Sequence, residues 1–511
     1  MLEKLNKIIK EAKKGAEIIK NFSSEIRIIS HYDADGICSA AILVKALKRE
    51  GKDFHLSLVK QLSENIIKEL SEERRGLIIF TDTGSGYLNS IQKYLLKNSK
   101  VIICDHHQVS DLIEDENLIH INPVIFDITE NVSGSGVTYI LARALNQENK
   151  DLSQLAIIGA VGDSQIESIG PDWGLFGLNK EILKEAVESN MIKVKKGLRL
   201  WGMYTRPIHK ALEYSVNPYI NGISESESGS VQFLKELGIK LKKEDGSWRT
   251  LADLSENEQR KLADGIIIER IRDNHPHPEW IFGDIYELLD KEGEFKDANE
   301  FATILNACGK LKMGYLGIAL CLNDPNSFSR AREILENYRK EIASAINWIY
   351  ENKENKKVIR ETEKAIYILA GSKISEHLIS NIVSIINKSK IFDSKKPIFG
   401  FADSEEGVKL SARVNDDLVK DGFNLKDIVS KAAKEFGGEG GGHSAASGAT
   451  IPKGKEEEFI NFIENLLQLP SEKEGDINKN ENDKDINLGE EKNGESKRKI
   501  ERKGVAYYLS P

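Results

Sequence analysis

The chain opens on an amphipathic stretch, Met1 to Lys20, in which apolar positions recur at helical spacing among Lys and Glu. Behind it, short apolar runs alternate with helical stretches: Ile26-Arg27-Ile28-Ile29, Leu56-Ser57-Leu58-Val59, Leu77-Ile78-Ile79-Phe80 and Val101-Ile102-Ile103. A strand covered on both faces needs such a run, so the alternation predicts βαβ units on a buried parallel sheet. From about 190 to 345 the pattern is mostly helical, charged around Lys240–Asp245 and rich in small and apolar residues from Phe301 to Leu322. It reads as an inserted or linking helical region.

Phe328 to Glu354 then places Leu335, Tyr338, Ile342, Ile346 and Ile349 at helical steps, and Ile366 to Leu369 begins a second α/β pattern. That pattern ends in a Gly-rich turn, a strand near Ala449–Ile451 and a helix from Lys455 to Leu467. The expected fold class is therefore α/β, a parallel-sheet domain over 1–190 and a smaller α/β domain over 361–470. A helical insertion with a linker helix, 191–360, joins them. Residues 471–511 form a charged tail too poor in apolar surface to offset its chain entropy, and so are expected to be disordered. Its apolar end, Val505–Leu509, fits a frayed terminus or packing on its own body better than a docking peptide.

Composition narrows this picture. At 511 residues and 40 % hydrophobic content the chain has material for more than one core, because single cores stop growing near about 250–300 residues. No run of about 18 apolar residues occurs, so no membrane span is expected and the location is read as cytoplasmic. Cys38, Cys104, Cys308 and Cys321 include no CxxC pair, which excludes a zinc ribbon or redox motif and leaves buried, reduced thiols. A net charge of −9 argues against an overall basic coat, yet a local basic groove can sit on an acidic whole, so nucleic acid stays open as a partner.

The candidate chemistry lies at the ends of the predicted strands. His31, Asp33 and Asp35 follow the first, Asp82 follows the third, Asp105-His106-His107 the fourth, and Asp163 follows the apolar run Ala156–Val161. In an open α/β sheet the ligand crevice lies beyond the carboxyl ends of the strands, so these clusters should converge. Any one Asp after a strand is more often a helix cap. Jointly, His31, Asp33, Asp35, Asp82, His106 and Asp163 are a hard-oxygen and imidazole set suited to two divalent cations, with manganese ahead of magnesium because of the imidazoles. His107 is a candidate phosphate contact or general acid, and Asp105 its orienting partner.

HYDADGICSA (31–40), FTDTGSG (80–86), DHHQ (105–108) and GDS (162–164) resemble, in order, the four signature motifs of the DHH phosphoesterase superfamily. KLSARV (409–414) with GGEGGGHSAASGA (437–449) resembles the DHH-associated substrate-binding domain. That resemblance implies a two-metal site on Asp33, Asp35, Asp82, His106 and Asp163, with a second domain that closes over substrate. His31 stands two residues before Asp33, whereas the pyrophosphatase and small-oligonucleotide relatives place a His four before, where Ile29 stands here; this spacing is similar to the RecJ branch. Arg413, Gly441, Gly442 and His443 are the candidate substrate contacts, because glycines let backbone N–H groups approach an anion.

DANEFATILNACGK (297–310) and GYLGIALCL (314–322) are similar to archaeal RecJ-like proteins, some associated with the replicative helicase. The resemblance implies a single-strand exonuclease on DNA or RNA in replication, repair or RNA turnover. An oligoribonuclease or cyclic-dinucleotide phosphodiesterase and a helicase-associated scaffold are the alternatives. Polarity, sugar preference, substrate length and oligomeric state are not set by these residues. Trp201 and Tyr204 have the chemistry to stack bases, but packing is the commoner fate of such rings, and neither is assigned a role.

Overall fold

The structure is a computed structural model that describes residues 2–109, 111–128, 131–215, 217–388, 391–392 and 396–467. The expected tail, 471–511, lies outside them. The described chain forms two compact units that divide between Tyr338 and Arg339.

In the first unit, strands β1 (Ile26–His31), β2 (Phe54–Val59), β3 (Leu77–Thr81), β4 (Lys100–Cys104) and β5 (Leu118–Ile121) make one parallel sheet in the order β2-β1-β3-β4-β5. Helix α1 (Leu2–Asn21) buries Ile8, Ala12, Ala16 and Ile19, spaced to share one face. Next come α2 (Ala34–Arg49), α3 (Glu64–Glu72), α4 (Leu88–Tyr94), α5 (Gly134–Leu145), α6 (Ser153–Gly162) and α7 (Gly177–Glu188). One core joins α1, α2, α5, α6 and α7 to one sheet face, while α3 and α4 cover the other. Since β1 pairs with β2 on one side and β3 on the other, the strand order reverses at β1/β3, where a crevice opens beyond the strand ends.

After α6 the hairpin β6 (Ile166–Ile169) and β7 (Asp172–Leu175) leads through α7 to β8 (Ile192–Leu198). The stretch read as mostly helical contains this strand and its antiparallel partner β9 (Phe282–Leu288), in a register that sets Ile192 against Leu288 and Leu198 against Phe282. Helices α8 (Ile208–Glu213), α9 (Glu227–Glu236) and α10 (Glu256–Arg272) lie between these strands in sequence and close around their own core, including Leu212, Leu234, Leu262 and Ile266. Ser255 and Glu258 form a capping box that starts α10. Helices α11 (Ala298–Lys310) and α12 (Gly314–Cys321) pack on α2, and α11 also on α6, so Phe301–Leu322 belongs to the core of the first unit. The long helix α13 (Pro325–Glu351) carries the chain into the second unit.

The second unit is a mixed six-stranded sheet of β10 (Ile359–Glu361), β11 (Ile366–Gly371), β12 (Ile398–Ser404), β13 (Gly407–Arg413), β14 (Glu439–Gly442) and β15 (Ala446–Ile451), in the order β10-β11-β12-β13-β15-β14. Its core joins Phe399, Phe401 and Leu410 to helices Leu425–Glu435 and Glu456–Leu466. No helix among the described residues is long and apolar enough to cross a membrane.

Candidate metal centre

Each side chain at the crevice is placed by an element end. Beyond β1, Asp33 caps α2: its Oδ1 accepts the N–H of Gly36 at 3.0 Å, leaving Oδ2 at 3.1 Å from His31 Nδ1. One oxygen of this residue thus serves the cap and the other is left facing the crevice. Asp35, in the first turn of α2, is 1 % exposed and accepts the N–H groups of Gly134 (2.7 Å) and Ser135 (3.0 Å) at the start of α5. The end of β3 delivers Asp82 in the left-handed region, φ 55°, where Asp is tolerated better than most residues. Asp105, His106 and His107 follow β4, and Asp163 caps the C-terminus of α6.

Asp82 is the hub. Its Oδ2 lies 3.4 Å from His31 Nδ1 and its Oδ1 3.4 Å from His106 Nε2. Around His106 Nε2 stand Asp163 Oδ2 at 3.6 Å and Asp35 Oδ2 at 3.9 Å. Ligand atoms of His31, Asp33 and Asp82 converge within 4.8 Å, as do those of Asp35, His106 and Asp163, and those of Asp82, His106 and His107. One carboxylate therefore belongs to two clusters, as a bridge between two cations requires. His31 Nδ1, Asp82 Oδ1 and His106 Nε2 are buried without a hydrogen-bond partner, although acids and imidazoles approach within 3.4 Å. Buried polar atoms that converge without aligned bonds fit cations in the spaces between them.

Charge balance explains how the acids coexist. Burial, with Asp35 and Asp33 adding to it, pushes the Asp82 carboxyl up to about 7, and burial beside Asp35 also raises Asp163. Burial depresses both imidazoles, but Asp33 and Asp82 lift His31 to about 11, while Asp82, Asp35 and Asp163 lift His106 to about 10. These protons must leave before the lone pairs can take a cation. Below those values each rise of one pH unit favours the deprotonated ligand about tenfold, so cation affinity should rise with pH. Titration calorimetry with Mn2+ at pH 6, 7 and 8, in buffers of different ionisation enthalpy, is expected to show tighter binding at higher pH with proton release; a flat profile contradicts it.

His107 faces outward, its side chain 53 % exposed, with Nδ1 at 2.7 Å from Asp105 Oδ1. Burial would raise the Asp105 carboxyl, but His107 and the Ser85 N–H (3.0 Å) hold it well below the usual range. The hydrogen bond to Asp105 raises the His107 imidazole above its ordinary value, in the direction of the protonated form.

Several neighbours went unnoticed in the sequence. Gln165 donates to Asp163 Oδ2 at 2.8 Å and is gripped by the buried Asn179, whose Nδ2 meets Gln165 Oε1 at 2.5 Å. The Asn122 amide donates to Ser85 Oγ (2.8 Å) and to the His107 carbonyl (3.0 Å), tying the β3 and β4 loops to β5. The SGSG run at 133–136 and the Gln directly after GDS were the only local signals. Gln165→Ala is expected to weaken Mn2+ binding by roughly 10- to 100-fold without unfolding the chain, since partners of metal ligands are worth that much; calorimetry with a parallel melt checks it.

In the second unit Arg413 pairs across from Ala446, and the turn joining β14 to β15 holds His443, whose N–H donates to the Ala446 carbonyl at 2.7 Å. The four candidate substrate contacts therefore share one sheet end, with Gly442 at φ 138°. Arg413 donates to Ser384 Oγ (2.8 Å) and Ser380 Oγ (2.7 Å) and makes no ion pair among the described residues.

Residues 25–162 match the DHH family N-terminal domain, 200–280 the DHH-CID domain and 362–469 the DHHA1 domain. An uncharacterized protein of Methanocaldococcus jannaschii is 35 % identical over 474 residues, 91 % of this chain and 99 % of that one. The single-stranded-DNA-specific exonuclease RecJ of Thermus thermophilus is 28 % identical over 212 residues, 39 % of this chain and 30 % of the relative. The crystal structure of RecJ from Thermus thermophilus in complex with Mn2+ matches 90 % of this chain with a TM-score of 0.54 at 16 % identity. This chain spans 54 % of that one.

Proposed function

The chain belongs to the DHH superfamily as a RecJ-like protein, and from that premise we propose that it is a metal-dependent exonuclease that hydrolyses terminal phosphodiester bonds of single-stranded DNA or RNA. The observation that carries the reading is the Asp82 carboxylate, shared by two clusters in which His31 Nδ1 and His106 Nε2 are buried without a hydrogen-bond partner. Manganese fits the mixed imidazole and carboxylate set, and magnesium the carboxylates alone. Two cations held there would activate a water and neutralise charge on the phosphoryl oxygens.

The chain's own residues do the rest. Asp33, Asp35, Asp82, Asp163, His31 and His106 hold the ligand geometry, and the Gly134 and Ser135 N–H groups keep Asp35 in place. His107, oriented through Nδ1 by Asp105, presents Nε2 as donor to a phosphate or leaving oxygen. Arg413, Gly441, Gly442 and His443 offer a charged fork and backbone donors to a strand. A scaffold that had lost catalysis would have no need of a complete ligand set, which favours the enzyme.

The test is a gel series with DNA and RNA strands labelled at the 5′ or the 3′ end, from dinucleotide to 30-mer, with Mn2+, Mg2+ or EDTA. Metal-dependent mononucleotide release from long strands is expected. Cleavage confined to dinucleotides or cyclic dinucleotides would move the reading to a small-substrate phosphodiesterase, and no cleavage of any strand would overturn it.

A further inference from the structure

The exposed aromatic rings concentrate in the insertion: Trp201, Tyr214, Tyr219 and Trp248 there, against Tyr315 and Tyr350 elsewhere in the described chain. Trp201, expected to be packed, is 49 % exposed, and Tyr214 is 55 % exposed. Tyr214 lies beside two cations, and Trp201 shares a pocket with one. The Arg199 guanidinium is 5.9 Å from the Trp173 ring, and Trp173, Arg199 and Trp201 line one pocket. Next along the surface, the Arg206 side chain packs over Gly202 and reaches within 5.6 Å of the Tyr214 ring. Lys210 stands 5.8 Å from the same ring, and His209 continues the series to Trp248 at 4.6 Å, with Lys242 4.7 Å from that indole.

A single cation over an exposed ring is a common surface feature worth about 0.5–1 kcal/mol. A continuous series of rings and cations is different, because successive bases need successive π faces and their phosphates need positive charge between them. Arg199 stands behind the series: it is 5 % exposed, donates to the Trp280 carbonyl and makes no ion pair among the described residues, so it backs the Trp173 ring with positive charge and leaves the phosphates to the exposed cations. Lys210 contributes less, since Glu213 and Glu227 already neutralise it.

The series starts close to the metal centre. Trp173 stands on β7, in the hairpin that begins at Ile166, just beyond Asp163. Asn299, in the first turn of α11, lines the same pocket as Trp201, and further along that helix Asn306 accepts the Ala34 N–H at 2.9 Å. Seven residues of helix span about 10 Å, or about three nucleotides at the stacked spacing of about 3.4 Å.

We infer that the ribbon from Trp173 and Trp201 through Arg206 to Tyr214 and Trp248 is a second nucleic-acid site, which stacks the unpaired bases of a strand whose end occupies the metal centre. It rests on the proposed exonuclease reading and adds a length preference to it: long strands engage both sites, very short ones only the metal centre.

The test uses the full chain in EDTA, so that binding is read without cleavage. Fluorescence anisotropy with labelled 20-mer and 4-mer oligothymidylates is expected to show that Trp201→Ala with Tyr214→Ala weakens the 20-mer at least tenfold and the 4-mer less than twofold. Trp201→Phe with Tyr214→Phe keeps both rings and should keep the preference. On the wild-type chain, a 20-mer with 4-thiothymidine three to eight nucleotides from the end should crosslink to Trp201 or Tyr214. Equal 20-mer binding by the alanine variant, or no crosslink within 200–280, overturns the inference; a surface that serves a protein partner gives that second result. Wild-type protein that cleaves strands while failing these tests loses only the ribbon, whereas wild-type protein that neither binds nor cleaves any strand loses the exonuclease reading too.

Discussion

Asp82→Asn is expected to lower phosphodiester hydrolysis by on the order of a thousandfold while the chain stays folded. Asn shares Asp's tolerance of left-handed backbone, so φ 55° at this position is kept. What changes is charge and bridging. The amide offers one oxygen instead of two, and its NH2 group points at whichever of His31 Nδ1 and His106 Nε2 the oxygen does not face. Cation charge on a phosphoryl group is worth several kcal/mol, and about 4 kcal/mol corresponds to roughly three decades of rate. Single-turnover cleavage of a labelled strand, with metal stoichiometry measured alongside, checks it. A variant within tenfold of wild type would mean that Asp82 does not bridge.

The second large effect falls on a residue without functional groups. Gly159→Ala should lower stability by about 3 kcal/mol and weaken metal binding, because its Cβ would lie 2.0 Å from Ser135 Oγ and 2.4 Å from Asp35 Oδ1. Neither neighbour can yield cheaply. Ser135 Oγ donates to the Ala156 carbonyl at 3.1 Å, and Asp35 is fixed by two backbone N–H groups. Gly134 is confined from the other side, its Cβ position lying 2.4 Å from Asp82 Oδ1. The glycines therefore let α5 and α6 approach the two buried acids as closely as the site needs. Gly86→Ala, where the added methyl meets open space, is the control and should stay within about 0.5 kcal/mol of wild type. Thermal melts with and without Mn2+ separate the two effects, and a Gly159→Ala chain with wild-type melting and affinity would show that the helices can part at no cost.

Part of this site could be read along the chain because its signals are local. Apolar runs such as Leu77–Phe80 mark strands buried on both faces, and ligand-type residues sit within a few positions of where those strands end. Parallel strands also aim their carboxyl ends the same way, so the three clusters that follow β1, β3 and β4 converge with few alternatives, while Asp163 arrives from the C-terminus of α6. The partners of those ligands left almost no trace. Gln165 is informative only once Asn179, 14 positions on, stands against it, and Asn122 only once β5 lies beside β4.

Sequence by itself therefore determined the α/β class and the placement of His31, Asp33, Asp35, Asp82 and His106 beyond the ends of neighbouring parallel strands, both consequences of short-range pattern and strand direction. Tertiary structure alone decided the rest. It made Asp82 the shared carboxylate, paired β8 with β9 across the insertion, and left Trp201 half exposed where packing was expected. Those outcomes depend on which distant segment occupies the space next to a side chain, a choice made by the packing of whole elements and not by the residues adjacent in sequence.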